Sequence, residues 1–249
     1  MGINNGNKIL RLLLFMSIVL MLSACGESKR EADNIAKDSI DTTEFMEDTD
    51  DVEQMDWVAN LDAAEYHNQL VVVIANGNTA TVSLHEKNDV GIWGEVLSTE
   101  AYIGKNGIGK TKEGDGKTPI GAYQFTFAFG IKENPGTNLE YVEVDDSYYW
   151  VDDSNSKYYN QFVSTKDVEK DWDSAEHILS AEDSYHYVLA TDYNAECKPG
   201  VGSAIFMHCT PTGGAGCIAV PEESMIAILK KITPDCVLII DDETNIYSY

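Results

Sequence analysis

Two residues that can perform acyl-transfer chemistry, His208 and Cys217, lie nine positions apart near the C-terminal end of the chain. They belong to the stretch S-A-I-F-M-H-C-T-P-T-G-G-A-G-C-I-A-V. A thiol attacks a carbonyl carbon as the thiolate, so a catalytic cysteine needs a neighbouring base or cation and an accessible sulfur. We therefore interpret Cys217 as a candidate nucleophile and His208 as the group that accepts its proton.

The residues around this pair can deliver and expose the two side chains. Residues 203–207 are apolar enough to form a short buried strand that ends at the histidine. Gly213, Gly214 and Gly216 allow the backbone to turn closely around the thiol. Such a bend can aim the amides of Gly216 and Cys217 at the oxyanion that develops when the sulfur attacks.

Two other interpretations of the pair remain open at this level. In the first, Cys217 is a small buried hydrophobe and His208 is a hydrogen-bonded core histidine, which is the commoner situation for an arbitrary pair. In the second, His208, Cys209 and Cys217 bind zinc. Metal ligands usually occur in pairs such as C-x-x-C or H-x-x-x-H, and neither spacing occurs in this chain.

The chain begins with the features of a secretory signal. Lys8 and Arg11 precede an apolar run over residues 12–22, and L-S-A-C follows, ending at Cys25. The run is short for a membrane span, and small residues before a cysteine resemble the lipobox of bacterial lipoproteins. We expect residues 1–24 to be a lipoprotein signal peptide and Cys25 to be lipidated, so that the protein is extracytoplasmic and membrane-anchored. An uncleaved anchor is the alternative.

The charge of the chain excludes some partners and marks a boundary. The net charge is −25, which makes nucleic acid an unsuitable partner. Fourteen acidic and three basic residues fall between residues 27 and 65. We therefore interpret residues 25–65 as an acidic, disordered tether and residues 66–249 as one catalytic domain, which we expect to be monomeric.

The chain has five cysteines. If Cys25 is lipidated and Cys217 must stay reduced, three remain, and at most one disulfide can form among them. The sequence does not choose a pair among Cys197, Cys209 and Cys236.

From residue 66 the composition changes to β-branched and aromatic runs separated by turn residues. Strands are predicted at residues 69–75, 79–86, 93–102, 185–193 and 237–240. Helices are predicted at residues 171–180 and 221–231, the second with a proline at its start and acids in its first turn. This order of elements indicates a mainly β domain with a few helices, because strands and helices do not alternate regularly.

A glycine-rich segment at residues 104–125 contains a literal match to the phosphate-binding pattern G-x-x-x-x-G-K-[ST]. Gly104, Gly109, Lys110 and Thr111 supply the match. In a phosphate-binding loop a helix follows the threonine, whereas an acidic glycine-rich loop follows here. We therefore do not expect nucleotide binding.

Several segments together resemble the L,D-transpeptidases of the YkuD type (ErfK-YbiS-YcfS-YnhG), in the branch that ends in T-A-G-C rather than S-H-G-C. The resemblance covers roughly residues 69–241. It rests on E-G-D-G-K-T-P-I-G-A-Y at 113–123, V-D-D-S-N-S-K-Y-Y-N at 151–160, S-A-E-H-I-L, and G-S-A-I-F-M-H followed by G-A-G-C-I-A-V-P-E-E.

The resemblance implies a mixed β-sandwich that acts on peptidoglycan stem peptides without a metal or organic cofactor. In this family the cysteine attacks the carbonyl before the terminal D-alanine, D-alanine leaves, and an amine of another stem resolves the thioester. Carried over, Cys217 is the nucleophile, His208 is the general base, and Gly216, Gly214 and Thr212 form the oxyanion hole and substrate loop. Hydrolysis of the same thioester, as in an L,D-carboxypeptidase, and a non-catalytic wall-binding lipoprotein are the alternatives.

The chain departs from the family pattern at two positions beside the cysteine. Gly214 stands where the common form has serine or threonine, although Thr210 and Thr212 are close in sequence. Ala219 stands where many members have arginine or asparagine. Both departures concern substrate recognition more than the chemistry of the thiol.

Overall fold

The structure is a computed structural model that describes residues 56–182, 184–210 and 212–249. The predicted signal peptide, the lipidation site at Cys25 and most of the predicted tether lie outside these residues. The strands that the structure describes are β1 (Gln69–Asn76), β2 (Thr79–Lys87), β3 (Trp93–Tyr102), β4 (Gly121–Gly130), β5 (Tyr141–Glu143), β6 (Tyr148–Val151), β7 (Phe162–Ser164), β8 (Ala175–His177), β9 (Val188–Thr191), β10 (Phe206–Cys209), β11 (Ile218–Val220) and β12 (Val237–Asp242). The helices are α1 (Ala63–Tyr66) and α2 (Glu222–Lys231), with 3₁₀ turns at Trp57–Asn60, Ile178–Ser180 and Ile246–Ser248.

Nine strands form one mixed sheet in the order β12-β1-β2-β3-β11-β10-β9-β4-β5. Strand β12 is parallel to β1 on one side and antiparallel to β4 on the other. The sheet therefore folds back on itself, and its two halves enclose a shared core in a sandwich-like arrangement. The predicted fold class, mainly β with a few helices in a mixed β-sandwich, is confirmed.

The side chains of the strands alternate between two apolar layers. On β1, Val71 and Val73 belong to the interior cluster, together with buried residues of α2. Their neighbours Leu70 and Val72 belong to a second cluster on the outer face. This alternation follows from the two-residue period of a strand, and it requires something to cover the outer face.

Part of that cover comes from residues 56–65. Acidic composition predicts that these residues are the end of a disordered tether, and for this segment the prediction is wrong. They form the first 3₁₀ turn and most of α1, and their apolar side chains at three-residue spacing are buried in the outer cluster: Val58, Leu61 and Ala64. Acidic residues around them hide this helical pattern in the composition. The folded domain therefore includes Asp56.

The predicted strands are confirmed with small changes of boundary, and so is the helix α2. The helix predicted at 171–180 is wrong, because the segment contains β8 and a 3₁₀ turn. Strand β8 pairs with β6 in a separate three-stranded sheet of order β7-β6-β8. That pairing overrides the local preference of the sequence for a helix.

The small sheet provides an aromatic layer over the face of β4, β9 and β10. Trp150 from β6 packs against Phe206 of β10 with ring centroids 4.6 Å apart, and both belong to one buried cluster with Phe129 and Tyr185. Cys217 packs against the same cluster. The excursion between β5 and β9 therefore shapes the surroundings of the candidate nucleophile.

In the part of the chain that is described, no helix is long and apolar enough to cross a membrane.

Candidate active site

The register of two parallel strands brings His208 and Cys217 to one face of the sheet. Strand β10 pairs with β11 so that Met207 lies beside Ile218 and His208 beside Ala219. Met207 and Ile218 point into the interior core, so His208 and Cys217 lie on the opposite face. Two residues along a strand and one strand across correspond to a Cα separation of about 8 Å. The predicted pair is therefore brought together.

The Cys217 thiol is held in its protonated form. Its Sγ donates a hydrogen bond to the carbonyl of Ala204 at 3.1 Å and accepts one from the amide of Phe206 at 3.4 Å. Burial raises the pKa of Cys217 to about 12, and the charge of Glu176 adds to this, whereas the Phe206 amide and Lys110 lower it. The sequence argument expects a lowered pKa, and the free protein shows the opposite.

His208 is buried and neutral. Burial lowers the pKa of His208 to about 4, although backbone groups of Cys209 and Ser184 favour the protonated ring. Among the described residues, its Nδ1 has no hydrogen-bond partner, and no hydrogen bond joins it to Cys217. Tyr185 packs edge-on against the imidazole at 5.4 Å. The resting pair is therefore a neutral thiol and a neutral imidazole, the latter able to accept a proton.

The depressed pKa of His208 makes stability depend on pH. The ring stays neutral in the folded state down to about pH 4 but binds a proton below about pH 6.5 when unfolded. Unfolding therefore takes up a proton in this window. The stability that the neutral His208 ring allows is fully present above pH 6.5 and is lost as the pH falls towards 4. We expect the free energy of unfolding to fall between pH 7 and pH 4 by about 3 kcal/mol more in the wild type than in His208→Gln. Urea unfolding at both pH values measures this difference, and equal losses in the two proteins would contradict it.

The loop that carries the cysteine is clamped by the glycine-rich segment. The hydroxyl of Thr118 donates to the carbonyl of Gly216 at 2.7 Å and accepts from the amide of Gly104 at 2.9 Å, and both bonds are buried. A Cβ atom on Gly216 would lie 2.6 Å from the carbonyl oxygen of Lys117. The K-T-P step therefore packs directly beneath the residue that precedes Cys217, which only glycine permits.

Lys110, the lysine of the sequence that matches the phosphate-binding pattern, forms an ion pair within the protein. Lys110 and Asp115 form a buried salt bridge at 3.1 Å. Burial raises the pKa of Asp115, but the amides of Thr111, Lys112 and Lys117 and the ammonium of Lys110 together bring it well below its usual range. The acidic loop therefore folds back onto its own lysine, and this segment positions the cysteine loop.

The residues predicted for the oxyanion hole and substrate loop separate into two groups. Gly216 is buried next to Cys217, and among the described residues the amides of these two donate no hydrogen bond outside the sheet ladder. Gly214 and Thr212 are exposed, and the Gly214 carbonyl accepts from the amide of Lys105 at 3.1 Å. Gly214 and Thr212 thus lie at the rim of the site.

The zinc alternative is not supported by the positions of its three residues. Cys209 belongs to the interior cluster and its thiol donates to the carbonyl of Tyr187, on the face opposite to His208 and Cys217. Across residues 56–182, 184–210 and 212–249, no group of three His, Cys, Asp or Glu residues is arranged to hold a metal ion. The four cysteines in these ranges are free, so Cys197, Cys209 and Cys236 form no disulfide with one another.

Three further residues act on the thiol or on Ala204, and none of them was identified as functional from sequence. Tyr185 donates a hydrogen bond to Glu176, whose pKa is raised by burial. The side-chain oxygen of Asn160 accepts a hydrogen bond from the amide of Ala204, the residue whose carbonyl accepts one from the Cys217 thiol. Glu176 lies in S-A-E-H-I-L and Asn160 closes the motif that ends in Y-Y-N. Both motifs carry the family resemblance, but without coordinates neither points to a role beside Cys217.

Two cavities among the described residues lie away from His208 and Cys217. A groove of about 1350 Å³ is lined by the ends of several strands and includes Thr210 and Ala219. A smaller one of about 450 Å³ is lined by Trp150 and Asn160 among others. Neither is lined by Cys217 or His208. These two cavities therefore do not mark the site, which is defined by the geometry and chemistry of its side chains.

The fold and the site together define a mostly β domain with a cysteine and a histidine on one face of a parallel strand pair. The model of the L,D-transpeptidase catalytic domain, YkuD, matches residues 67–240, and the chain belongs to this family. A similar solved structure is that of the helical cell shape determining protein Pgp2 from Campylobacter jejuni. It is 14% identical over 71% of this chain with a TM-score of 0.38, and the match spans 48% of that protein's chain. No curated protein matches the chain.

Proposed function

We propose that this protein is a cysteine-dependent L,D-transpeptidase that acts on peptidoglycan stem peptides. Membership of the family supports this class of catalytic domain. The observation that carries the assignment of residues is the register of β10 and β11, which places His208 and Cys217 on one face. In this proposal Cys217 is the nucleophile, His208 is the general base, and the amides of Gly216 and Cys217 bind the oxyanion.

The reaction would proceed through a thioester. The substrate carbonyl binds over Cys217, and the imidazole of His208 takes the thiol proton as Sγ attacks the carbonyl carbon. The oxyanion collapses, the amide bond to D-alanine breaks, and His208 returns the proton to the leaving amine. An amine of a second stem peptide then attacks the thioester, and its proton passes through His208 to the released thiolate. Neither a metal nor an organic cofactor takes part.

The resting protonation states fit proton transfer that is coupled to attack. With the pKa of Cys217 raised to about 12 and that of His208 lowered to about 4, a thiolate–imidazolium pair is unfavourable before substrate binds. The bound carbonyl supplies the acceptor for the electrons of the sulfur as the proton leaves. The free enzyme therefore keeps a poorly reactive thiol, and substrate binding activates it.

The proposal includes a location outside the cytoplasm. Residues 1–24 would be removed as a signal peptide, and Cys25 would carry the lipid anchor at the membrane of the cell envelope. The acidic residues that follow would connect the anchor to the folded domain, which would act as a monomer. What supports this is the sequence pattern around Cys25 and the position of the substrate, peptidoglycan, outside the cell.

One incubation tests the proposed reaction. A chain that begins after Cys25 is mixed with disaccharide tetrapeptides and an excess of a tripeptide that offers a free side-chain amine. We expect intact-protein mass spectrometry to show a thioester adduct on the peptide that contains Cys217, and chromatography to show free D-alanine and a cross-linked dimer.

The products separate the alternatives. Tripeptide without dimer would replace transpeptidation by hydrolysis, the activity of an L,D-carboxypeptidase. Binding of the tetrapeptide without any adduct would favour a non-catalytic wall-binding protein, an outcome that the departures at Gly214 and Ala219 make worth testing.

A further inference from the structure

The carbonyl that accepts a hydrogen bond from the Cys217 thiol belongs to Ala204, which has an unusual backbone conformation. Ala204 has φ +53°, in the left-handed region that residues other than glycine rarely adopt. The strand predicted from residue 203 therefore begins only at Phe206. The turn at Ala204 directs its carbonyl to the Sγ of Cys217 at 3.1 Å.

Asn160 holds this conformation. Its Oδ1 accepts hydrogen bonds from the amide of Ala204 at 3.1 Å and from the indole of Trp150 at 2.9 Å. Its Nδ2 donates to the carbonyls of Tyr193 at 3.1 Å and Asn194 at 3.0 Å. The side chain is buried and uses both donor hydrogens and both acceptor positions, so it is a fixed point against which Ala204 is set.

The preceding residues are held in the same way. The hydroxyl of Tyr159 accepts from the amide of Gly202 at 3.1 Å and donates to Glu113 at 2.6 Å. Glu113 also accepts from the hydroxyl of Ser203 at 2.8 Å. Two segments that carry the family resemblance, one with Glu113 and one ending in Y-Y-N, thus meet on residues 202–204 and fix the strand entry beside the thiol.

We propose that Asn160 is a positioning residue that keeps Ala204 in the left-handed conformation. In this conformation the Ala204 carbonyl accepts a hydrogen bond from the Cys217 thiol and keeps the thiol protonated until substrate binds. The contribution to acyl transfer rests on the proposed function, whereas the retention of the thiol proton does not. The left-handed conformation is unfavourable for an alanine, and the hydrogen bond to Asn160 offsets this cost.

The retained proton follows from the chemistry of the bond. A carbonyl can accept a hydrogen bond from a thiol but not from a thiolate, so the Ala204 carbonyl favours the protonated sulfur. Two charged groups act on the sulfur: the negative charge of Glu176 disfavours a thiolate, and Lys110 favours one. Burial raises the pKa of Tyr185 well above its usual value, so its hydroxyl stays neutral. Moving the Ala204 carbonyl away from the Cys217 thiol should therefore lower the pKa of the thiol. The pKa should still stay above that of an exposed cysteine, because the sulfur remains buried.

The test compares two Asn160 variants with a matched asparagine. Asn160→Ala removes all four hydrogen bonds, and the isosteric Asn160→Asp keeps the acceptors but loses the two donors. Asn155→Ala is the control, because the exposed Asn155 side chain donates, among the residues that the structure describes, to Asp153 alone. Iodoacetamide alkylation is followed between pH 6 and pH 11 on the peptide that contains Cys217, alongside acylation by a tetrapeptide.

We expect Asn160→Ala to raise alkylation about tenfold or more at pH 8, which moves the rising part of the pH profile to lower pH by about one unit. The rate of acylation by the tetrapeptide should fall about tenfold or more in the same variant, because the Ala204 carbonyl no longer fixes the position of the Cys217 sulfur. Asn160→Asp keeps the acceptor for the Ala204 amide and adds a negative charge that disfavours a thiolate, so its alkylation should rise less than that of Asn160→Ala. Its acylation should also fall less, and Asn155→Ala should change neither rate.

An alkylation profile that is unchanged in both Asn160 variants would overturn the inference, even if their melting temperatures fall. An equal shift in Asn155→Ala would also overturn it. If the wild type forms no acyl-enzyme but Asn160→Ala still shows the alkylation shift, the proposed function fails and the role of Asn160 in retaining the thiol proton stands.

Discussion

Replacing Cys217 with alanine is expected to lower the rate of acylation by a tetrapeptide stem at least about 10⁴-fold, to the level of the uncatalysed reaction. The thioester route needs a sulfur at this position, and the other thiols cannot substitute for it. Burial raises the pKa of Cys209 to about 11, and its side chain lies in the interior core. Release of D-alanine and mass spectrometry of the intact protein measure the loss.

Cys197→Ala is the matched control for this substitution, since Cys197 is also free and partly buried but lies outside β10 and β11. Its rate should remain within about twofold of the wild type. Adduct formation in Cys217→Ala at more than about one hundredth of the wild-type rate would place the nucleophile elsewhere and remove the basis of the proposed mechanism.

Replacing His208 with glutamine is expected to slow acylation about 10²- to 10⁴-fold, the usual contribution of a general base. Without the imidazole the thiol must lose its proton to solvent. Because the pKa of Cys217 is raised to about 12, the thiolate fraction at pH 8 is on the order of 10⁻⁴. The rate of the variant should therefore rise about tenfold per pH unit between pH 7 and pH 10, while the wild-type rate changes little.

His186→Gln is the control for the histidine. His186 is partly exposed and pairs with Glu222 at 2.7 Å, away from the thiol. We expect it to keep the wild-type rate and pH dependence. A His208→Gln variant that loses activity but shows no dependence on hydroxide would argue that the imidazole packs against Tyr185 and does not move a proton.

The strands and the helix α2 could be predicted because each carries its own local pattern. Alternating apolar residues and a hairpin turn define β1 and β2, and a proline followed by acids marks the start of α2. The closure of the sheet has no such signal. It depends on parallel pairing between residues 69–76 and 237–242, and no local pattern specifies a partner so distant in sequence.

The strand at residues 175–177 also could not be predicted from its local sequence. Its residues have no strong preference for a strand, and their strand conformation comes from pairing with β6. The buried turn at 57–66 was missed for a different reason. The acidic run before it dominates the composition, although within the turn only Asp62 and Glu65 are charged. Three of its apolar side chains are buried in the outer cluster: Val58, Leu61 and Ala64.

For the site, residue type and spacing were sufficient to single out His208 and Cys217 but not to predict their protonation states. Those depend on an aromatic layer contributed by residues far away in the chain, and on a carbonyl whose direction is set by one backbone angle at Ala204. Asn160 illustrates the difference: an asparagine that ends a polar motif is an ordinary loop residue in sequence, and only coordinates show which four groups it binds.

The place of β12 between β1 and β4 has a consequence for how the chain folds. The first long strand and the last strand of the domain are neighbours, so the sheet closes only after nearly the whole domain has been synthesised. Such distant pairing makes folding slow compared with a chain of local contacts. A chain that ended before Val237 would leave two strand edges open at once, each with a row of unpaired amides on which other chains can assemble. Residues 237–249 therefore cover both of these strand edges as well as completing the core.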